Sequence, residues 1–266
     1  MSTLLYNIAG TVVFNLIQLV SGCILAVVVL MIFKGKAASF DNRQRSRILV
    51  AIIFSLCGIL LPLGIYGVIP LIAAILAVGF KGYAACALLV SNVAFNMLVP
   101  CNDPAFVWRT GFRQVVFAFI AGLLAGILLT LINNSEDKII RLKHMPVFPD
   151  SPSKFKLAIG FADDSVKKLG LFLVVGSAAD TVFRRFILSA VVNAFYSNPV
   201  TRAIPDFFGG QDVSNPFFLI TFSIVYMLMN LVILSGLISI LKLKGLILYF
   251  GYYFALAVIL AIPAFI

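Results

Sequence analysis

In an apolar setting where charge is rare, Asp180 stands four residues before Arg184, and Arg185 follows directly. That spacing places Asp180 and Arg184 on one helical face, close enough to pair. Ionisable groups at membrane depth are costly and mark ion pathways or proton relays. Asp180 is therefore the expected proton or cation coupling residue, its charge held by Arg184. The alternative is an interfacial position in which the basic side chains snorkel to the headgroups. A second polar set, Ser91, Asn92 and Asn96, interrupts another apolar stretch. Part of this set shares a helical face, from which it can hydrogen-bond either a solute or a neighbouring helix. The third feature is the run PLGIYGVIP, Pro62 to Pro70. Proline removes a backbone donor and glycine loosens the helical ladder, so this run predicts non-helical backbone from 62 to 70. Such backbone is tolerated at membrane depth only where protein or a water-filled cavity surrounds it. Pro62, Gly64, Tyr66, Gly67 and Pro70 are accordingly the expected lining of a solute pathway.

Other chemistry has little footing. His144 is the only histidine and lies in a polar stretch. The sequence has no Ser-His-Asp set, no zinc-binding His cluster and no phosphate-cradling GxxxxGK[ST] motif. Cys23, Cys57, Cys86 and Cys101 have no CxxC spacing and are read as free thiols, most of them small buried hydrophobes. The PCNDP run, Pro100 to Pro104, is a turn rather than a metal site. Gly122 and Gly126 form a GxxxG that signals close helix packing. The expectation is a non-enzyme with no cofactor and no metal.

The elements that must position these residues follow from composition. Of 266 residues, 62% are hydrophobic and 11% charged, against about 25% charged in an ordinary soluble domain. The fold class is all-α, a polytopic helical membrane protein. Five stretches reach the length of about 20 apolar residues that a spanning helix needs: Leu4 to Phe33, Gly82 to Val99, Val115 to Ile132, Phe217 to Leu241 and Gly245 to Ile266. Leu169 to Phe195 is a sixth, long enough but carrying Asp180, Arg184 and Arg185 near its middle; it is read as a polar-faced span, the alternative being a short helix joined to a second piece. Ile48 to Phe80 is too long for one straight helix, and each half is short for a full crossing. It is read as a broken or re-entrant pair, giving about 6–8 spans in all. The first apolar run lacks a basic leader and a cleavage site and is expected to be retained as a span.

Basic residues orient the chain. With the amino terminus outside, fifteen lysines and arginines lie in inner loops and three, Arg109, Arg113 and Arg202, in outer loops. The net charge of +10 is thus assigned to the cytoplasmic face of a bacterial inner membrane, not to nucleic acid. The polar, proline-containing segment divides the chain into a membrane half at 1–132, a cytoplasmic linker at 133–167 and a second membrane half at 168–266. The implied partners are the lipid bilayer and a small solute or ion, with the oligomeric state, an oligomer included, left open. An intramembrane enzyme is an alternative, but an aspartyl-type centre needs two facing carboxylates. An assembly or interaction protein is another, but it needs neither a broken helix nor a buried charge.

The segment from Ser55 to Asn96, SLCGILLPLGIYGVIPLIAAILAVGFKGYAACALLVSNVAFN, resembles a family of predicted bacterial permeases that includes organoarsenical efflux permeases, the ArsP-like permeases. The matching features fall on Cys57, Gly58, Pro62, Gly67 to Pro70, Gly79 and Ser91 to Asn96. The resemblance implies a permease scaffold and adds Cys57 to the pathway candidates. Where the family has cysteines in its break, this chain has Gly64 and Tyr66, and Val93 replaces a proline. The thiolates that would hold a soft ligand are missing there, so the resemblance leaves the cargo open.

Overall fold

The computed structural model describes residues 2–33, 44–61, 63–95, 104–132, 145–149, 154–188 and 230–261. They form eight α-helices with no strand among the described residues: α1 (Ser2–Phe33), α2 (Gln44–Leu60), α3 (Ile65–Val78), α4 (Gly82–Phe95), α5 (Pro104–Ile132), α6 (Lys154–Val182), α7 (Leu231–Ile240) and α8 (Leu243–Ala261). A π-helical turn, Phe183–Leu188, continues α6. Within the described residues, Thr3–Phe33 is the one helix long and apolar enough, by length and composition, to cross a membrane. The other apolar stretches, such as Ile65–Val78 and Gly82–Phe95, are shorter.

The innermost element is α3. Ile65 through Ile75 and Val78 are all buried, and a helix that is apolar on every side belongs in the centre of a bundle. It packs against α1, α4, α6 and α7. The α1–α3 contact is close because two glycines meet: a Cβ on Gly22 would collide with the backbone of Gly67. Such small-residue crossings let backbones approach where lipid removes any hydrophobic driving force between helices.

Paired contacts give the directions. Gln18 meets Gly64 and Gly67, Leu30 packs with Val78, and the Phe33 and Phe80 rings lie 6.4 Å apart, so α1 and α3 run parallel. Gly58 faces Leu88 and Ser91, while Gly126 faces Ala51, Tyr83 and Ala87. Hence α2 runs parallel to α4 and antiparallel to α5. A three-residue reversal joins α3 to α4. In it Gly79 takes φ 107, a left-handed conformation that suits glycine, and its N–H returns to Ile75 and Leu76 carbonyls. It follows that α2 begins and α3 ends at the same end of the bundle, the end where α1 finishes.

This answers how far the Ile48–Phe80 run reaches. Its turning point sits beside Gln18, midway along the 32 residues of α1, a helix about 48 Å long. The 17 residues of α2 and 14 of α3 therefore climb to mid-height and return. The expected break is present but shorter than the sequence predicts, which is a correction. Only the stretch from Leu61 to Gly64 separates the helices, and Ile65 to Pro70 is helical. Pro70 lies inside α3, where its missing N–H forfeits one bond to the Tyr66 carbonyl; burial on every side holds the remaining turns. Gly67 serves the crossing with α1 rather than a break.

In the second part of the chain, α6 begins at Lys154, well inside the stretch that the sequence reads as linker. The ion pairs Asp163–Lys167 at 2.5 Å and Asp164–Lys168 at 3.0 Å, each i,i+4, support helix through this charged segment. The Asp163 carboxylate also holds the exposed Lys167 ammonium above the usual lysine range. Residues 145–149 dock on the same surface. Val147 N–H donates to Asp164, Lys168 donates to the Met145 carbonyl, and Phe148 stacks on Phe161 at 3.9 Å.

Candidate functional site

At the turning point, two helix ends are left to be satisfied. The last carbonyls of α2 have no intrahelical donors. The Leu61 N–H donates to the Cys57 carbonyl at 3.0 Å, and the Asn92 amide donates to the Gly58 carbonyl at 2.9 Å and to the carbonyl of Leu61, just past the helix, at 3.0 Å. Asn92 thereby ties α4 to the break. Ser91 instead donates to Ala87 and Leu88 of its own helix, its side chain against Gly58 and Gly122. Gly122 and Gly126 pack α5 onto α2 and α4, with Ser55, Ala51 and Ala87 as their neighbours.

The other end is the start of α3. Its N-cap, Gly64, has extended backbone and offers no side chain to the first-turn N–H groups. The half-buried Gln18 of α1 lies against Gly64. Two residues on, the buried Tyr66 shares a 2.7 Å hydrogen bond with Ser235 of α7, and Gly176 of α6 leaves room for both hydroxyls. Ile65 packs against Gly236. The first turn of α3 is thus the place where α1, α3, α6 and α7 converge.

Directly above lies the buried acid. Asp180 is 5% exposed, and its Oδ1 accepts the Leu231 N–H at 3.0 Å. Asn230 completes that end by accepting from Val232 and Ile233 N–H, both at 3.1 Å. A carboxylate at a helix N-terminus is stabilised by the helix dipole, so α7 holds the charge of Asp180 from below. Beside it, Asn15 donates to Ser177 at 2.9 Å and Thr181 reaches Thr11 at 3.3 Å. These contacts set α6 antiparallel to α1, and α7, antiparallel to α6, parallel to α3.

The sequence-predicted residues divide accordingly. Gly64, Tyr66 and Asp180 gather within this layer. Gly67 and Pro70 lie on α3 below it, and Cys57, Ser91 and Asn92 belong to the α2–α4 contact. Pro62 and Asn96 lie outside the described residues, as does the side chain of Arg184, whose backbone falls in the π-helical turn. Arg185 extends to Thr3, 3.4 Å away. Sequence reasoning missed Asn15, Gln18, Ser177, Asn230 and Ser235. Two of them carried a signal: Asn15 and Gln18 are polar residues in an otherwise apolar first span.

No group of three or more His, Cys, Asp or Glu comes together among the described residues, and Cys23, Cys57 and Cys86 are free thiols. A cavity of about 510 Å³ lies between α4, α5 and α8; none of the described residues of 62–70 lines it, and α3 contributes Ile72. The polar layer is instead a set of hydrogen-bonding side chains in close contact.

Comparison with known proteins agrees with this architecture. Residues 4–232 match the family described as predicted permease, so nearly all of α7 and the whole of α8 lie beyond the match. No curated protein and no solved structure matches the chain. With the match covering most of the sequence, the chain belongs to the predicted permease family and is a helical membrane protein.

Proposed function

We propose that this permease moves a small solute across the bacterial inner membrane by secondary transport, through the polar layer around the first turn of α3. The observation that carries the reading is the α2–α3 hairpin. Its tip stops at mid-height, where an N-terminus without a side-chain cap meets Gln18, Tyr66 and Ser235. Helices broken at the bilayer midplane, with N-termini directed at a solute, are a recurring way to build such a site.

In this reading the hairpin is re-entrant, entering and leaving on the cytoplasmic side, and the amino terminus is outside. The basic residues then fall in inner loops. The two membrane halves meet at the layer, the first contributing Gln18, Gly64 and Tyr66 and the second Ser235 and Asp180. Asp180 is the coupling residue. Protonation would weaken its hold on the α7 N-terminus, linking ion binding to the position of α7 against Tyr66. Purified protein in proteoliposomes, presented with a panel of small solutes under an imposed proton gradient, is expected to show uptake that requires both the protein and the gradient. Protein-dependent flux indifferent to any ion gradient would overturn the coupled mechanism, and absence of flux for every solute would overturn transport.

A further inference from the structure

We infer that the cavity between α4, α5 and α8 binds one hydrocarbon chain of a membrane lipid, which lies between α8 and the rest of the bundle.

The space exists because α8 is held off by its own tyrosines. Tyr253 donates to the Val90 carbonyl of α4 at 2.9 Å and Tyr252 to the Ala121 carbonyl of α5 at 2.5 Å. These rings act as pillars of about a side chain's length, and the facing positions on α4 and α5 are small, Ala85 and Ala125. A volume of about 510 Å³ remains, within the range of roughly 300–1,000 Å³ usual for ligand sites.

Its chemistry excludes polar occupants. Leu89, Leu128 and Leu248 are among the apolar side chains of the wall, and of the two tyrosines that line it Tyr252 donates to the Ala121 carbonyl and Tyr249 is hydrogen-bonded to Tyr253. Water in an apolar cavity lacks the two to four polar partners that would hold it. Left void, the lining would lose its dispersion contacts.

The surroundings identify the occupant. Leu128, Ile247 and Leu248 line the cavity and are also 42%, 62% and 37% exposed, so the cavity opens on an outward apolar face. For a membrane protein that face meets acyl chains. The lining extends from Gly82 and Gly245 to Val90 and Ala255, about 12–15 Å along the parallel axes of α4 and α8. That shape suits a chain lying along the helices.

The test uses the full chain in nanodiscs containing a phospholipid with a photoreactive diazirine near the end of one acyl chain. After irradiation, mass spectrometry is expected to find labelling of Leu89, Leu128 and Leu248 several-fold above that of Val13 and Phe14, which face outward on α1. Filling the cavity with Ala125→Trp should abolish the excess and leave the α1 labelling unchanged. Should that variant fail to fold, Ala85→Leu makes the same comparison with less added bulk. Cavity labelling no greater than that on α1, or an excess that persists in a folded, filled variant, would overturn the inference.

Discussion

Two short helices, α3 and α7, solve the same structural problem in opposite ways. Each begins near mid-height, runs parallel to the other, and reverses through a few residues into a partner helix, α4 or α8. They touch through Tyr66–Ser235 and Ile65–Gly236. Yet α7 begins beneath a buried carboxylate and a capping asparagine, whereas α3 begins at a glycine with no side-chain cap. A helix N-terminus carries about half a positive charge. At α7 that charge is matched from within the protein; at α3 it faces an uncharged glutamine. The difference teaches that the layer is asymmetric: one end is fitted with its own acid, and the other, which has no side-chain cap, is the end that the proposed mechanism assigns to the solute.

The comparison can be broken most directly by making the two ends alike. Gly64 has extended backbone open to any residue, and the nearest atoms that a Cβ there would meet are those at the far end of the flexible Gln18 side chain. Gly64→Asp should give α3 the carboxylate that α7 already has. Transport in proteoliposomes is expected to fall about tenfold or more, equivalent to about 1.4 kcal/mol. Thermal stability should rise by a few tenths of a kcal/mol, as for a Gly-to-Asp N-cap. Normal flux in this variant would mean that the α3 terminus takes no part in transport.

Removing the acid from α7 probes the opposite side. Asp180→Asn keeps an acceptor for Leu231 N–H but loses the charge. Gradient-dependent flux should drop about tenfold, and stability, read by thermal unfolding, should fall by about 1 kcal/mol as the dipole contact weakens. A variant that keeps full gradient-dependent flux would remove Asp180 from the mechanism and leave it as a cap. The smallest effect is expected at the contact itself. Tyr66→Phe deletes one hydrogen bond between the two helices, worth about 0.6 kcal/mol in membranes. A melting shift larger than that amount allows would show that Tyr66 holds more of the interface than its bond to Ser235.

These positions were not equally legible in the sequence. The break was visible because proline and glycine in an apolar run have few structural meanings, but its length was not. Gly67 and Pro70 look like breakers, while Gly67 answers to a backbone on α1 that no local pattern reveals. Asp180 stood out by its cost; its partner Leu231 N–H lies 51 residues away and is a backbone group, which spacing cannot name. Asn92 was ambiguous between solute and helix contact until the carbonyls of Gly58 and Leu61 were seen beside it. The start of α6 was hidden because its charged pairs read as a solvated linker.

The most direct test of the central claim is whether water reaches Gly64. With the native cysteines replaced, Gly64→Cys in membrane vesicles should react with a small, charged, membrane-impermeant thiol reagent, while a cysteine at the fully buried Ile69, on the same helix, should not. Equal inertness at both positions would contradict an aqueous pathway ending at the first turn of α3.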